Sequence, residues 1–182
     1  SDSEVILNVF AHELHKVGQQ KLTAEGVFEA VRNVHSRCRG AYAVVAMITG
    51  YGIVGFRDPF GIRPLIFGSK KNEGVGRDFM VASESVALVS QGYEVERDVS
   101  PGEAVFFDTQ NTCRVQQCSD SATLTPCIFE HVYLARPDSI VDEVSVYKTR
   151  LRMGTKLAEK IRRKRPDHDI DVVMPIPDSG RT

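Results

Sequence analysis

The hydrophobic periodicity of the chain changes twice, and this pattern most constrains the fold. Apolar residues recur at helical spacing over residues 1–37, short apolar runs separated by turn residues follow over 41–117, and helical spacing returns from about residue 144. Helices that precede a run of hairpin-like strands are typical of packed α+β layers rather than of an alternating β-α-β order. The pattern therefore predicts the α+β class for the larger part of the chain.

Start and stop signals set the helix limits. Ser1 and Glu4 have the spacing of a capping box, Gly18 is a stop signal, and Thr23 is a candidate N-cap for a second helix. A third, long helix is expected from Val144 to Arg165, just before Pro166.

The strand signals are short apolar runs between turn residues. We expect strands at 41–48, 53–56, 65–67, 79–82, 103–107 and 113–117, a loop at 69–78, and a short helix at 83–90 capped by Ser83.

A polar segment that ends in proline, residues 119–126, has the composition of a linker. Beyond it, residues 170–176 are predicted to form a buried strand after the long helix, in the order found where a nucleotide-binding α/β domain begins. The predicted domains are 1–118 and 119–182, and the second would hold too few strands for a complete sheet.

Asp178, Ser179, Gly180, Arg181 and Thr182 follow this predicted strand directly. Open α/β sheets bind ligands at such positions, and small residues, hydroxyls and a guanidinium suit a phosphate. An ordinary strand-to-helix turn is the alternative interpretation.

Two other features have both a structural and a functional interpretation. The segment from Arg57 to Pro64 contains a tight-turn signal, so we assign its charged residues mainly to structure. Asp2 suits the start of a helix, where a carboxylate faces the positive end of the helix dipole, and it could also hold an ammonium group.

Composition excludes several classes of protein. A net charge of −1 gives no general attraction to nucleic acid, and no apolar run is long enough to span a membrane. The acidic, polar start differs from a signal peptide, so a cytoplasmic location is expected. The four cysteines lack metal-site spacing and are predicted to be free thiols, while His12 and His15 do not have the spacing of a zinc-protease helix.

Several segments, in order along the chain, resemble one family. They are Ser1–Glu4, Arg39–Tyr42, Phe56–Leu65, Val81–Ser85, Pro101–Glu103, Phe129–Glu130, Tyr133–Ser139 and Asp171–Pro177. The earlier ones are similar to class II glutamine amidotransferases in general. Together with the later ones they resemble the amidophosphoribosyltransferase family over essentially the whole chain.

The resemblance implies part of a four-layer αββα glutaminase domain, followed by the beginning of a type I phosphoribosyltransferase domain. In this family glutamine is hydrolysed by an N-terminal cysteine. Ammonia then displaces pyrophosphate from magnesium-bound phosphoribosyl pyrophosphate. The cysteine would precede Ser1, so the chain is expected to be an internal piece that is inactive alone. An asparagine-synthase-like amidotransferase and a non-catalytic binding or regulatory module of this fold are the alternatives.

The resemblance also assigns residues and partners. Asp2 corresponds to the carboxylate that binds the glutamine ammonium group, Tyr133 to a tyrosine that links the two active centres, and 178–182 to a pyrophosphate-contacting loop. Gly180 lies where some relatives have a magnesium-associated serine, and it offers only its backbone. Purine nucleotides as feedback inhibitors and a homo-oligomer are implied; an iron–sulfur cluster, with a cysteine near Cys127 in some relatives, is left open.

Overall fold

A computed structural model describes residues 1–18, 21–72, 76–177 and 179–181 of the chain. The polypeptide divides into two compact units, Ser1–Pro126 and Cys127–Thr182.

Two helices open the first unit, and both begin at the predicted caps. In α1 (Asp2–Val17) the Ser1 hydroxyl accepts the amide of Glu4 at 3.4 Å, and the Glu4 carboxylate accepts the Ser1 amino group at 3.2 Å. In α2 (Ala24–Arg37) Thr23 Oγ1 accepts the amide of Gly26 at 3.2 Å. Side-chain acceptors thus satisfy amides that have no partner inside a helix.

Two antiparallel sheets follow. The first has the order β1-β2-β6-β7, with β1 (Ala43–Ile48), β2 (Gly52–Arg57), β6 (Glu103–Asp108) and β7 (Cys113–Gln117). The second has the order β4-β3-β5, with β3 (Ile66–Asn72), β4 (Gly76–Ala82) and β5 (Glu94–Asp98). A short helix, α3 (Ser85–Ser90), lies between β4 and β5 in the chain.

Alternating side chains of β2 and β6 build two cores. Phe56 and Phe106 pack with α1 and α2, whereas Val105 and Phe107 face the second sheet. On that sheet, a Cβ added to Gly68 would lie 2.6 Å from Leu88 of α3 and 2.3 Å from the Glu94 carbonyl, so α3 packs closely against the strands. The layer order is helices, sheet, sheet, helix, which confirms the predicted α+β class and αββα arrangement.

The second sheet differs from expectation in three places. Most of the loop expected at 69–78 is strand, because β3 and β4 pair from Ile66↔Ala82 to Asn72↔Gly76. Strand β5 was not predicted, since its sequence Glu-Val-Glu-Arg-Asp has one apolar residue and it lies at a sheet edge. Helix α3 has Glu84, not Ser83, at its N-cap.

The second unit holds one long helix, α4 (Val146–Lys164), and a two-residue hairpin of β8 (Ile140–Val141) and β9 (Val144–Ser145). A π-turn at Glu130–Leu134 precedes them. Ala135, Val141 and Val146 form the small buried cluster. The long helix is confirmed, two residues shorter at its start than predicted.

The predicted buried strand at 170–176 is wrong for this chain. These residues form no strand, and Val172, Val173, Met174 and Ile176 are 71–84% exposed. A strand requires a neighbour for its backbone hydrogen bonds, and no strand among the described residues pairs with this segment.

The predicted linker, residues 119–126, is part of the first unit. Thr123 and Thr125 donate their amides to the carbonyls of Pro59 and Phe60 at 3.0 and 2.8 Å. The boundary between residues 118 and 119 stays a prediction.

The loop after β2 is organised by two buried charged residues. Arg57, 1% exposed, donates to the carbonyls of Arg63 at 2.7 Å, Gly61 at 2.7 Å and Val99 at 2.9 Å. Asp58, fully buried, accepts several backbone amides at 3.0–3.3 Å, those of Tyr42, Phe60, Ile62 and Arg63. The structural role expected for both residues is confirmed.

We expect Asp58→Asn to destabilise the first unit by about 2–4 kcal/mol, because its amide group would turn a donor towards amides that also donate. Urea unfolding followed by circular dichroism measures this change. Asp120→Asn, an exposed substitution, is the control and should change little. Equal stability of the two variants would contradict the role given to Asp58.

His35, at the end of α2, packs inside the same unit. Its Nδ1 lies 2.8 Å from the Tyr42 hydroxyl, and its Nε2 is buried without a hydrogen-bond partner. Burial lowers the pKa of His35 to about 4, against the opposing influence of Asp58 and the Gly102 carbonyl. The imidazole is therefore neutral in the folded protein at pH 7.

The unfolded chain binds this proton near pH 6.5 and the folded chain near pH 4. The free energy of unfolding should therefore decrease as the pH is lowered from 6.5 to 4. Over this pH range, protonation of His35 should lower the free energy of unfolding by about 3 kcal/mol. Unfolding measurements from pH 7 to 4 on the wild type and His35→Gln test it. The stability advantage of the wild type should shrink on acidification; parallel curves would refute this assignment.

Candidate functional site

A cleft of about 950 Å³ opens beside the start of α1 in the first unit. Its walls are the first turns of α1, the segment after α2 and strand β1, with Arg63 from the loop after β2. Asp2 lies at the first position of α1, where its Oδ1 accepts the amide of Ser3 at 2.9 Å. The capping box fixes this turn, and Asp2 is one of the residues that line the cleft.

Arg37, Arg39 and Arg63 are also among the residues that line the cleft. Arg37 pairs with the buried carboxylate of Glu13, which also accepts Asn33 at 3.1 Å. The cleft thus has one acidic residue, Asp2, and three arginines beside a mostly apolar wall, and the charge of one of these arginines, Arg37, is paired with Glu13. A ligand that carries both an ammonium and an anionic group matches this distribution of charge.

The structure separates the two arginines of the 57–64 motif. Arg57 is buried and bonded to carbonyls, whereas Arg63 reaches the cleft. The turn signal in the sequence indicated a mainly structural role for both arginines and did not predict that Arg63 lines a cleft. The sequence offered one signal for this position of Arg63: the residue lies directly before Pro64, at the end of the turn.

Tyr133 belongs to the second unit and lies in the π-turn. Its side chain is 63% exposed, and its ring stacks on that of Phe129 with centroids 5.3 Å apart and planes inclined by 30°. Phe129 is itself 52% exposed, so the two rings form an accessible aromatic surface.

The candidate phosphate loop is described only in part. Asp178 and Thr182 lie outside the described residues, and Ser179–Arg181 forms one 3₁₀ turn in which the Gly180 amide donates to Ile176 at 3.0 Å. A Cβ at Gly180 would meet Pro175 at 3.5–3.7 Å, an ordinary contact, so the local space admits a side chain there.

The four cysteines are free thiols, as predicted. Burial raises the pKa of Cys118 to about 11, so this thiol is protonated at neutral pH.

Among the described residues no group of three or more His, Cys, Asp or Glu side chains could hold a metal ion. The helices described in the structure include none that is long and apolar enough to cross a membrane.

Comparison with curated proteins gives close relatives, although no protein family model matches the chain. An amidophosphoribosyltransferase of Pseudomonas aeruginosa is 61% identical over 182 residues, which is all of this chain and 36% of that protein. Those of Escherichia coli and Schizosaccharomyces pombe are 50% and 47% identical, over 99% and 100% of this chain. The chain spans about a third of the length of these relatives.

Two solved structures have the same fold over the same extent. One is the glutamine phosphoribosylpyrophosphate amidotransferase of Bacillus subtilis complexed with ADP and GMP, with a TM-score of 0.74 and 28% identity over all of this chain and 35% of that one. The other, described as the allosteric regulatory enzyme of purine biosynthesis, has a TM-score of 0.76 and 28% identity, over 99% of this chain and 34% of that one. Throughout its 182 residues, the chain is therefore homologous to one region, about a third, of the amidophosphoribosyltransferases.

Proposed function

We propose that the chain carries parts of both substrate sites of an enzyme that makes 5-phosphoribosylamine, the first committed step of purine synthesis. The observation that carries this proposal is the 61% identity to an amidophosphoribosyltransferase along the entire chain. The αββα layers and the charged cleft beside Asp2 support it, since a glutaminase site must bind a zwitterionic amino acid.

The reaction has two halves. Water hydrolyses the side-chain amide of glutamine to glutamate and ammonia, and ammonia then attacks C1 of phosphoribosyl pyrophosphate while pyrophosphate leaves. In this proposal the Asp2 carboxylate binds the α-ammonium group of glutamine. The 178–182 loop contacts the pyrophosphate group through backbone amides, hydroxyls and the Arg181 guanidinium. Tyr133 takes part in communication between the two sites.

Other components follow from the resemblance and are proposed on that basis. Mg²⁺ would accompany phosphoribosyl pyrophosphate, but the described residues do not form a site for it, and Gly180 offers only its backbone. Purine nucleotides are proposed as regulators; the Bacillus subtilis relative was solved with ADP and GMP. A homo-oligomer in the cytoplasm is proposed as well, and an iron–sulfur cluster is left undecided.

An assay of glutamine-dependent phosphoribosylamine formation tests the proposal on this chain and on a protein extended to the full length of its relatives. We expect activity only in the extended protein, because the resemblance places the nucleophilic cysteine outside these 182 residues. Activity of the short chain would contradict this account of the nucleophile. Inactivity of both would favour a non-catalytic binding module.

In the extended protein, we expect Asp2→Asn to lower kcat/KM for glutamine by about 10- to 100-fold, through loss of a charge-assisted hydrogen bond to the ammonium group. The rate with ammonium chloride in place of glutamine should not change. Glu25→Gln is the matched control, because it removes a carboxylate from the first turn of α2, away from the cleft. An equal loss with both nitrogen donors would show that Asp2 acts only on stability.

A further inference from the structure

A guanidinium from α4 holds the backbone on both sides of Tyr133. Arg150 is 6% exposed; its Nε donates to the His131 carbonyl at 2.9 Å and its Nη2 donates to the Ala135 carbonyl at 2.8 Å. Tyr133 lies midway between these two residues, and its own ring points to an accessible surface on which Phe129 is its stacking partner.

The turn that Arg150 holds is a π-turn, which is rare and is often found at functional positions. The Ala135 amide donates to the Glu130 carbonyl five residues back, at 2.8 Å. In an α-helix the same amide would donate to His131, four residues back. Arg150 takes that carbonyl instead, so its side chain supplies the hydrogen bond that the α-helical alternative would form.

We propose that Arg150 is a positioning residue for Tyr133: by bonding the carbonyls of His131 and Ala135 it selects the π-turn and thereby sets the orientation of the Tyr133 ring on Phe129. The inference rests on the proposed function for its consequence, since Tyr133 is there assigned to communication between the glutamine and phosphoribosyl sites. A planar guanidinium with parallel donors suits two neighbouring carbonyls, and a lysine ammonium does not reproduce this fork.

The first test uses the 182-residue chain labelled with fluorotyrosine. Each of its five tyrosines should give its own ¹⁹F resonance, and the spectrum of Tyr133→Phe identifies the resonance of Tyr133. We expect Arg150→Lys to move the Tyr133 resonance and leave that of Tyr51, in the first unit, in place. Arg152→Lys, an exposed substitution on the same helix, is the control and should move neither. An unmoved Tyr133 resonance in Arg150→Lys would overturn the proposal.

The second test uses the protein extended to the length of its relatives and measures glutamate released per phosphoribosylamine formed. For Arg150→Lys this ratio should rise by about fivefold. Loss of one hydrogen bond changes the equilibrium between the π-turn and its alternatives by a factor of about this size. Arg152→Lys should keep the wild-type ratio. A general loss of fold would lower both products together. A moved resonance with an unchanged ratio would overturn the consequence for communication.

The two tests separate failure of this inference from failure of the proposed function. If the extended wild-type protein forms no phosphoribosylamine, the proposed function is wrong, and the ¹⁹F spectra still decide whether Arg150 positions Tyr133.

Discussion

The buried charges of Arg57 and Asp58 are the constraint on which the first unit depends. Both side chains are removed from water, and burying a charge is unfavourable unless hydrogen bonds compensate for lost hydration. Backbone groups provide that compensation: Arg57 donates to carbonyls of the 61–63 turn and of Val99, and Asp58 accepts amides from the turn and from Tyr42. Hydrogen bonds from two buried side chains therefore hold a loop that has no regular secondary structure.

That fixed loop connects the core to the candidate site. Tyr42 is joined to Asp58 through its backbone and to His35 through its hydroxyl, so the end of α2 and the start of β1 share one packed cluster around Phe56. The same loop presents Arg63 to the cleft in which Asp2 lies. The packing of the helices on the first sheet and the shape of the cleft thus both depend on the loop that Arg57 and Asp58 hold.

The second unit follows a similar principle with fewer residues. Among its described residues the buried apolar cluster consists of Ala135, Val141 and Val146, and Arg150 adds two hydrogen bonds to backbone carbonyls beside it. Much apolar surface stays exposed there, including Tyr147 and Leu157 on α4 and the 172–176 segment. Exposed apolar faces of this kind are typical of surfaces that other polypeptide segments cover.

Local sequence determined the helices, because caps such as Ser1 and Thr23 act on amides within three residues, and it determined the β1–β2 and β6–β7 hairpins through alternation and turn residues. Its motifs resembled those of the amidophosphoribosyltransferases, to which the whole chain is similar in sequence. Tertiary structure alone decided β5, because its charged sequence becomes a strand only where β3 offers backbone partners. It also left residues 170–176 without a strand, because none of the described strands pairs with that segment. It also decided that Arg63 reaches the cleft and that Arg150 bonds to the π-turn, since contacts between residues distant in sequence depend on how the elements pack.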